Sequence, residues 1–298
     1  MIAAVVVTFS APADVLDRCL RALCEEGGLD RIVVVDTGGS AQVASDLAGG
    51  VELLQMENRG YGAAVNLASA SIEDASIIVA LNDDVVVHSG WLPPLVAELA
   101  PSDVGAAQPA LIDPDDGAVA SLGVVLDRYG AGSDIADGQQ LPVDRSPTDI
   151  SIFTGGAAAF DVRFLRSTGG FDERLFLYYE DVDLALRGRA LGWRYRVVPE
   201  STVEHRRGTS TGARVEETRF YQERNRVWMA VRHGSPATAG RALWLSLRRM
   251  RQRPRRVHAR ALLSALTGTP RFVVERVRSA RKLEIDGSSR RDSGRCAP

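Results

Sequence analysis

Two carboxylates follow an apolar, β-branched run in the first third of the chain. Asp83 and Asp84 follow Asn82 at the end of Ser76–Leu81, which has the composition of a buried strand. A carboxylate in such a place is costly unless it is paired or binds a cation, and two of them suit a hard divalent ion that bridges protein and phosphate oxygens. The alternative is a strand-ending turn capped by Asn82 and the aspartates, which is common. The residues themselves leave both interpretations open.

A second acidic cluster contains Glu180, Asp181 and Asp183 and follows the aromatic run Phe176–Tyr179. Aromatic rings beside a partly desolvated carboxylate can stack on a sugar ring and raise the pKa of that carboxylate towards neutral pH, as a general base requires. Acidic residues also stabilise the first turn of a helix, so Asp181 or Asp183 could simply be a cap. Capping does not explain the aromatic residues, but the residues alone leave Asp181 and Asp183 as two candidates for the base.

Two further segments carry polar groups that could bind a ligand. His205 follows a predicted strand at Trp193–Val198, and its imidazole could complete a divalent site begun by Asp84; an isolated histidine is more often structural or exposed. Asn58–Asn66 places glycines at the start of a predicted helix, where backbone N–H groups can approach an anion such as phosphate. Its spacing is neither the dinucleotide-binding GxGxxG nor the P-loop GxxxxGK[ST].

Apolar runs alternate with helical patterns through the first part of the chain. The alternation predicts right-handed βαβ units and an α/β fold with an open, mostly parallel sheet flanked by helices. Ligands bind beyond the carboxyl ends of the strands in such sheets, so we expect Thr8, Asp36 and the Asp83-Asp84 pair to face one crevice. The predicted strands are Ile2–Phe9, Arg31–Asp36, Val51–Met56 and Ser76–Leu81, and the predicted helices are Pro12–Cys24 and Tyr61–Ala70.

The middle of the chain has weaker patterns. Pro101–Asp149 is rich in Gly, Asp and Pro, and it predicts loops with an edge hairpin around Gly123–Leu126. Ser151–Phe160 predicts a strand interrupted by two glycines, and Asp181–Leu191 predicts an amphipathic helix.

Composition restricts the class of protein. The 298 residues are 45% hydrophobic and carry a formal net charge of -2, which gives no reason to expect nucleic-acid binding. Three cysteines form neither a disulfide set nor a CxxC pair, which favours a reducing, cytoplasmic setting. We expect no signal peptide, because no basic leader precedes the first predicted strand. No apolar run approaches the roughly 20 residues of a spanning helix, so at most the protein lies at the inner face of the plasma membrane.

The C-terminal part of the chain is strongly basic. We expect a main domain at 1–235, a basic helical extension at 236–285 and a disordered tail at 286–298. Arginines mixed with Trp244 and Leu247 could make a peripheral contact with anionic headgroups. The alternative is a solvated pair of helices that packs on the domain or on the second subunit of a homodimer.

In their order and spacing these segments resemble glycosyltransferase family 2, the inverting enzymes with the GT-A fold, and most closely its bacterial rhamnosyltransferase-like branch. The most specific part is the block TGGAAAFDVRFLRSTGGFDERLFLYYEDVDLALRGRALGW at Thr154–Trp193. The resemblance reaches Arg226 and so covers roughly the first three-quarters of the chain. The other matching segments are VVVTF (Val5–Phe9), VVVD (Val33–Asp36), NRGYGAAVN (Asn58–Asn66), LNDD (Leu81–Asp84), VEHRRGTS (Val203–Ser210) and YQERNR (Tyr221–Arg226).

The resemblance implies roles for individual residues. Asp181 matches the catalytic base and Glu180 its neighbour, which supports the acceptor. Asp84 and His205 match the residues that bind Mg²⁺ or Mn²⁺. The remaining residues divide between the two substrates: Thr8, Phe9, Asp36, Arg59, Asn66 and Asp83 for the nucleotide-sugar donor, with Asp36 on the pyrimidine N3–H, and Gly155, Gly156, Tyr178 and Tyr179 for the acceptor.

Two positions depart from the pattern of the branch. Asp83 stands where proline is usual, so it could join the metal site or face solvent. Asp36 is followed by Thr-Gly-Gly-Ser in place of the usual Asn or Asp plus Ser, which leaves the ribose contacts open.

The resemblance implies an inverting, metal-dependent transfer of a sugar to a hydroxyl of a glycan or lipid-linked acceptor, in the synthesis of cell-surface polysaccharide or glycoconjugate. The branch favours rhamnose from dTDP-rhamnose. A UDP-sugar-dependent transferase acting on a small-molecule or lipid acceptor is the alternative within this class, and a catalytically silent nucleotide-sugar-binding protein is the alternative outside it. A nucleotidyltransferase usually has a Gly-rich, basic loop after the first strand, and Thr8–Pro12 lacks it.

Overall fold

The apolar, β-branched runs of the N-terminal part form parallel strands, as predicted. A computed structural model describes residues 1–39, 41–47, 49–205 and 215–292, with side chains as far as residue 277. β1 pairs in parallel with β2 and β4, and β2 pairs in parallel with β3. Ala3–Val6 and Val33–Val35 are completely buried, which accounts for their unbroken apolar character. The elements of this part are β1 (Ile2–Thr8), α1 (Ala13–Glu26), β2 (Arg31–Asp36), β3 (Val51–Gln55), α2 (Tyr61–Ser71) and β4 (Ile77–Asn82).

The sheet continues with antiparallel and parallel strands from later in the chain. Its strand order is β10-β12-β6-β11-β4-β1-β2-β3, with β5 beside β12 and β7 beside β6, while β8 and β9 form a separate hairpin. The predicted α/β fold with an open, mostly parallel sheet is confirmed. The further elements are β5 (Val85–Val87), α3 (Leu92–Glu98), β6 (Val104–Ile112), β7 (Val119–Ser121), β8 (Val124–Leu126), β9 (Gly132–Asp134), β10 (Thr148–Ile150), β11 (Ala157–Asp161), α4 (Val162–Thr168), a 3-10 turn (Glu173–Leu175), α5 (Glu180–Ala190) and β12 (Arg194–His205).

The prediction of loops over Pro101–Asp149 is wrong in its first part. β6 lies inside the sheet between β12 and β11 and is buried along almost its whole length. The sequence conceals this strand because Pro109 lacks an N–H group and is typical of edge strands or bulges. Val198 of β12 pairs with Pro109, and the register of β12 shifts directly after it, which accommodates the proline. The hairpin expected around Gly123–Leu126 is confirmed by β8 and β9.

The chain divides into two compact units. The first contains Met1–Leu126 and Gly132–Thr218, and the second contains Asp127–Ala131 and the chain from Arg219 onward. The predicted boundary at residue 235 and the predicted disorder at 286–298 stay predictions, and residues 206–210 of the VEHRRGTS segment, like 293–298, lie outside the described residues.

Helices predominate in the second unit, so the predicted helical C-terminal extension is confirmed. They are α6 (Val215–Arg232), which begins just before this unit, α7 (Pro236–Arg249) and α8 (Arg255–Asp292). Within the described ranges we find no helix whose length and hydropathy would let it span a bilayer.

A buried arginine organises the core of the second unit. Arg226 is only 1% exposed, and its guanidinium donates to the Glu223 carboxylate (3.0 Å), the Ser246 hydroxyl (2.7 Å) and the carbonyl oxygens of Tyr129 (3.1 Å) and Ala242 (3.2 Å). A buried charge is tolerated only when it is paired and hydrogen-bonded in this way.

Candidate active site

The carboxyl ends of β1, β2 and β4 lie side by side in the first unit. Thr8 pairs with Asp36 in the parallel register of β1 and β2, and Val7 pairs with Asn82 of β4. Because Asp83 follows β4 at once, polar groups from three strands meet at the edge of the sheet where ligands of open α/β sheets bind.

Asp181 lies in the first turn of α5, and the backbone holds both of its carboxylate oxygens. Oδ2 accepts a hydrogen bond from Gly155 N–H at 2.8 Å, and Oδ1 accepts one from Val182 N–H at 2.7 Å. The Tyr61 hydroxyl holds Gly155 in turn, because it donates to the Gly155 carbonyl oxygen at 2.7 Å. These backbone hydrogen bonds fix the orientation of the Asp181 carboxylate. A general base needs a fixed orientation towards the proton that it removes. The predicted contact of Gly155 with the acceptor stays a prediction.

The pKa values of the two acidic residues at the start of α5 are both raised. Burial raises the pKa of Asp181 to about 6, although the N–H groups of Gly155 and Val182 act in the opposite direction. The pKa of Glu180 is raised well above its ordinary value by burial and by the charge of Asp181. Glu180 Oε2 is buried and has no hydrogen-bond partner within the part of the chain that the structure describes. The pair therefore resists carrying two negative charges, and the two backbone N–H groups stabilise the ionised form of Asp181.

Asp183 is occupied elsewhere. Its side chain is completely buried and pairs with Arg187 Nε at 2.7 Å, one turn further along α5. Arg187 also donates to the carbonyl oxygens of Thr168 (2.5 Å) and Gly170 (2.7 Å). Asp183 therefore anchors α5 to the end of α4, and of the two candidates for the base only Asp181 fits.

The aromatic run before α5 has a strained backbone. Phe176, Tyr178 and Tyr179 have φ angles of 65°, 63° and 69°, in the left-handed region that residues other than glycine rarely adopt. Each such residue costs about 1–3 kcal/mol unless its surroundings hold it. Here Tyr61 N–H donates to the Phe176 carbonyl oxygen (3.0 Å), and Gly132 N–H donates to the Tyr179 hydroxyl (3.1 Å). The acceptor contacts of Tyr178 and Tyr179, which are partly exposed, stay predictions.

Asp84 and His205 lie together although more than a hundred residues separate them in the chain. His205 Nε2 is 3.4 Å from Asp84 Oδ1 and 3.3 Å from the Asn82 side-chain nitrogen. β12 brings the histidine there, since His205 pairs with Val85 of β5. A carboxylate is a preferred ligand of Mg²⁺ and Mn²⁺, and an imidazole can add a nitrogen ligand, so these residues fit a divalent ion. Over the described ranges there is no group of three or more His, Cys, Asp or Glu side chains that could hold a metal.

Two successive glycines connect the base to this pair. Gly155 N–H contacts Asp181, and a Cβ atom at Gly156 would lie 3.7 Å from the His205 ring. The Gly156 carbonyl oxygen also accepts the N–H of Asn82 at 3.0 Å. The candidate base and the candidate metal ligands are therefore parts of one site; the predicted acceptor contact of Gly156 stays a prediction.

The structure changes the roles expected for Thr8 and Asp83. Thr8 is 2% exposed, its hydroxyl donates to Asp83, and its carbonyl oxygen accepts the N–H (3.0 Å) and hydroxyl (2.9 Å) of Thr37. Thr8 thus has almost no surface left for a nucleobase, whereas Phe9 is 36% exposed. Asp83 also accepts the N–H of Phe9, and burial raises its pKa. The expectation that Asp83 could face solvent is wrong, and its contact with the donor stays a prediction.

Asp36 organises the turn that follows β2. Its Oδ1 accepts the N–H groups of Gly38 and Gly39, each at 2.9 Å, and its Oδ2 accepts that of Ala41 at 2.9 Å. A carboxylate can accept about four hydrogen bonds, so a contact with a pyrimidine N3–H would use the capacity that remains. That contact stays a prediction.

The glycine segment before α2 was predicted to approach a phosphate. In the structure it approaches the backbone of Phe176. Gly60 has a φ of 93°, and a Cβ atom there would lie 2.1 Å from the Phe176 carbonyl oxygen. Tyr61 N–H, at the start of α2, is already bonded to that oxygen. The Phe176 carbonyl oxygen thus occupies the close approach that Gly60 permits, and binding of an anion at this helix start stays a prediction.

Asn66 and Arg59 both contact the segment that precedes the aromatic run. Asn66 Nδ2 donates to the Phe171 carbonyl oxygen and Asn66 Oδ1 accepts the Phe171 N–H, both at 2.9 Å. Asn66 therefore positions Phe171, and its predicted contact with the donor stays a prediction. Arg59 is 64% exposed and pairs with Glu173 at 2.5 Å, and its contact with the donor stays a prediction.

Sequence reasoning missed two residues of the site, Tyr61 and Asp134. Tyr61 lies in the NRGYGAAVN segment, but its partner Gly155 is far away in sequence; burial raises its pKa, so the hydroxyl remains a donor. Asp134 ends β9, and its charge adds to the rise in the pKa of Asp181. Nothing in the local sequence distinguishes Asp134 from an ordinary turn residue.

Known proteins share this sequence pattern. A family model described as Glycosyl transferase family 2 matches residues 3–167, more than half of the chain. Two proteins of Mycobacterium tuberculosis (strains CDC 1551 / Oshkosh and ATCC 25618 / H37Rv) are 29% identical to the chain over 238 residues, which is 70% of this chain and 76% of each relative. Both are named N-acetylglucosaminyl-diphospho-decaprenol L-rhamnosyltransferase.

Solved structures share the fold at low identity. GalNAc-T7 with UDP, GalNAc and Mn²⁺ is 15% identical with a TM-score of 0.57 over 79% of this chain, which spans only 51% of that protein. The mannosyltransferase PcManGT from Pyrobaculum calidifontis with GDP-Man and Mn²⁺ is 16% identical, with a TM-score of 0.53 over 95% of this chain and 86% of that one. Residues 1–349 of S. aureus TarS are 12% identical to this chain, with a TM-score of 0.56. The match covers 93% of this chain and 82% of that one. The likeness concerns the fold alone, and it confirms the predicted GT-A fold.

Proposed function

The chain belongs to glycosyl transferase family 2, and from that premise we propose that it transfers a sugar from a nucleotide-sugar donor to an acceptor hydroxyl with Asp181 as the general base. The observation that carries the proposal is the environment of the Asp181 carboxylate. Two backbone N–H groups orient it, burial raises its pKa to about 6, and Gly155-Gly156 connects it to the Asp84–His205 pair.

The geometry supports a single displacement at the anomeric carbon. Asp181 takes the proton from the acceptor hydroxyl as that oxygen attacks, and a pKa near 6 leaves this carboxylate ionised at neutral pH yet more basic than an ordinary aspartate. Attack from the face opposite the departing nucleoside diphosphate inverts the configuration. The raised pKa of Glu180 favours its protonated form, which can donate a hydrogen bond to an acceptor oxygen, and its Oε2 has no partner among the described residues.

Asp84 and His205 would hold Mg²⁺ or Mn²⁺, and the bound ion would neutralise charge that develops on the departing diphosphate. Two protein ligands leave coordination positions for phosphate oxygens, which is the usual way proteins share Mg²⁺ with a nucleotide. The presence of Mn²⁺ in the GalNAc-T7 and PcManGT structures supports this assignment.

For the donor we propose dTDP-rhamnose, and for the acceptor a glycan or a lipid-linked sugar used in cell-surface polysaccharide or glycoconjugate synthesis. The support is the similarity to the two rhamnosyltransferases of Mycobacterium tuberculosis. A UDP-sugar is the alternative, because Asp36 could bond the N3–H of either pyrimidine. Calorimetric titration with dTDP-rhamnose and a panel of UDP-sugars tests the choice, and tighter binding of a UDP-sugar would overturn it. A cytoplasmic location and a homodimer stay predictions.

The role of Asp181 is tested by Asp181→Asn. Without a base of suitable pKa, turnover should fall about 10²–10⁴-fold, while calorimetric binding of the nucleoside diphosphate should persist. Asp74→Asn, an exposed carboxylate at the opposite end of β4, is the matched control and should keep full turnover. Parent-like turnover in Asp181→Asn would exclude Asp181 as the base. Donor binding without transfer by the parent chain would favour the silent nucleotide-sugar-binding protein.

The metal assignment is tested by Asp84→Ala. We expect the calorimetric signal for a nucleoside diphosphate in the presence of Mn²⁺ to disappear, because one of the two protein ligands is lost. The parent chain treated with a chelator should behave like the variant, and Asp74→Ala should behave like the untreated parent. A signal that survives both the substitution and the chelator would remove Asp84 from a metal site.

A further inference from the structure

Helix α8 exposes an apolar stripe. Leu263, Leu266, Val274 and Val277 are 66%, 49%, 47% and 46% exposed. Leu263 and Val274 are eleven residues apart, and so are Leu266 and Val277; eleven residues are about three turns of an α-helix. Each pair therefore forms a row along the helix, and the two rows are neighbours because a step of three residues returns to nearly the same face.

A row of arginines borders this stripe. Arg260 and Arg271 are also eleven residues apart and precede Leu263 and Val274 by three residues, so they form the adjacent row. Both are exposed, and within the described residues no carboxylate lies within ion-pair distance of either one. Arg260 lies 5.6 Å from the Phe220 ring.

The sequence around the arginine row contains almost no acidic residues. Between Arg241 and Val277 the sequence has one acidic residue, Glu275, and it pairs with Arg232 at 2.9 Å. The positive charge of the arginine row is therefore not balanced along the described part of α7 and α8.

We propose that this face of α8 binds the surface of an anionic lipid bilayer, with the helix lying in the plane of the interface. Apolar side chains would enter the boundary between headgroups and acyl chains, and the neighbouring arginines would contact anionic headgroups. The inference does not rest on glycosyl transfer, since it concerns only the surface of α8.

Charge and hydropathy together favour a bilayer over other occupants of this face. A second copy of the chain would bring the same arginine row and, from Arg255 to Val277, only a glutamate that is already paired. A nucleic acid would neutralise the arginines but would leave the leucines and valines in water. A bilayer with anionic headgroups would neutralise the arginines and also remove the leucines and valines from water.

The sequence suggested α7 for this contact, through Trp244 and Leu247. Both remain exposed, at 51% and 53%, and the Trp244 ring stacks on Tyr129 with centroids 6.4 Å apart and lies 5.3 Å from the Arg248 guanidinium. We assign the contact to α8 because its exposed apolar side chains and arginines lie in adjacent rows.

Flotation of the full chain with lipid vesicles tests the proposal. We expect the chain to float with vesicles of phosphatidylcholine and phosphatidylglycerol and to remain unbound with phosphatidylcholine alone. The double variant Arg260→Gln/Arg271→Gln should weaken binding about 25-fold, since each arginine near an anionic surface contributes about fivefold. Leu263→Ser/Val274→Ser should abolish flotation. All four side chains are exposed, and circular dichroism would verify that both variants remain folded.

Matched controls carry the same chemical change on the first unit. Arg166→Gln/Arg189→Gln removes two exposed arginines and Val143→Ser/Leu191→Ser removes two exposed apolar side chains, and both should float like the parent. Equal flotation with neutral and anionic vesicles, or parent-like flotation of either α8 variant, would overturn the proposal. It would also be overturned if the parent chain ignored vesicles and formed a dimer in ultracentrifugation that Leu263→Ser/Val274→Ser dissociated, because that result assigns the face to a second copy.

Discussion

Three acidic side chains lie within four positions at the start of α5. They differ in pKa and in ion pairing because their surroundings differ. Asp181 accepts hydrogen bonds from two backbone N–H groups and has a pKa raised by burial to about 6, whereas burial and the charge of Asp181 raise the pKa of Glu180 well above its ordinary value. Asp183 neutralises Arg187 inside the fold. The orientation of the Asp181 carboxylate by two backbone N–H groups supports our proposal that it is the general base.

At the residue scale, the raised pKa of Asp181 predicts a pH profile. The base must be ionised, so kcat/KM should rise with pH through about 6 and level off above it. Asp134→Asn should move this rise to lower pH, because removing a nearby negative charge favours the ionised form of Asp181. Asp144→Asn, an exposed carboxylate that is not among the groups acting on Asp181, should leave the profile unchanged. A rise that stays in place or moves to higher pH in Asp134→Asn would contradict the assignment.

At the scale of elements, α2 supports the loop that delivers the base. The start of α2 touches Phe176 through Gly60 and Tyr61, and further along Asn66 clamps Phe171. The Tyr61 hydroxyl reaches Gly155, which holds Asp181. The segment NRGYGAAVN therefore positions the backbone of the site. Its contacts also hold the strained aromatic run in place.

Gly60→Ala tests this coupling between elements. A Cβ atom 2.1 Å from the Phe176 carbonyl oxygen must displace one of the two backbones, which costs about 1–3 kcal/mol, and the left-handed φ adds about 1–2 kcal/mol. We expect a lower melting temperature together with lower turnover, measured by calorimetry and by a transferase assay. Gly49→Ala, where a Cβ atom would meet nothing within 4 Å, is the control. A variant with parent-like stability and turnover would show that the close approach does not position the site.

At the scale of the whole molecule, the two compact units have cores of different chemistry. The first is organised by a sheet with long runs of completely buried apolar residues, such as Ala3–Val6 of β1. The second is organised by helices around a buried ion cluster, in which Arg226 and Arg249 both pair with Glu223. The first kind of core depends on apolar burial, and the second depends on every charge having a partner.

Arg226→Met tests the second core. Removing the guanidinium leaves the buried acceptors of Glu223, Ser246 and Ala242 without their donor, so unfolding free energy should fall by about 3–5 kcal/mol. Guanidinium denaturation followed by circular dichroism measures the change. Arg241→Met, an exposed arginine on α7, should change it little. If Arg226→Met unfolds at the same denaturant concentration as the parent, the ion cluster does not stabilise the unit.

The sequence by itself determined the class of the fold and the identity of the chemical groups. Unbroken apolar runs predicted β1, β2 and β4 nearly to the residue, because burial on both faces of a parallel sheet leaves a local pattern. The aromatic run and the carboxylates that follow it narrowed the candidate base to Asp181 or Asp183, and the family resemblance chose Asp181. β6 escaped this reasoning, since Pro109 interrupts the pattern of a central strand.

Only the tertiary structure decided which of these groups are already bonded to one another. Asp183 proved to be an ion-pair residue, Asn66 a clamp on Phe171 and Thr8 a partner of Asp83, while Tyr61 and Asp134 joined the site. These contacts depend on strand register and helix packing between segments distant in the chain. A hydrogen bond or ion pair at about 3 Å leaves no periodic trace in sequence, because it concerns one atom pair and not the burial of a whole face.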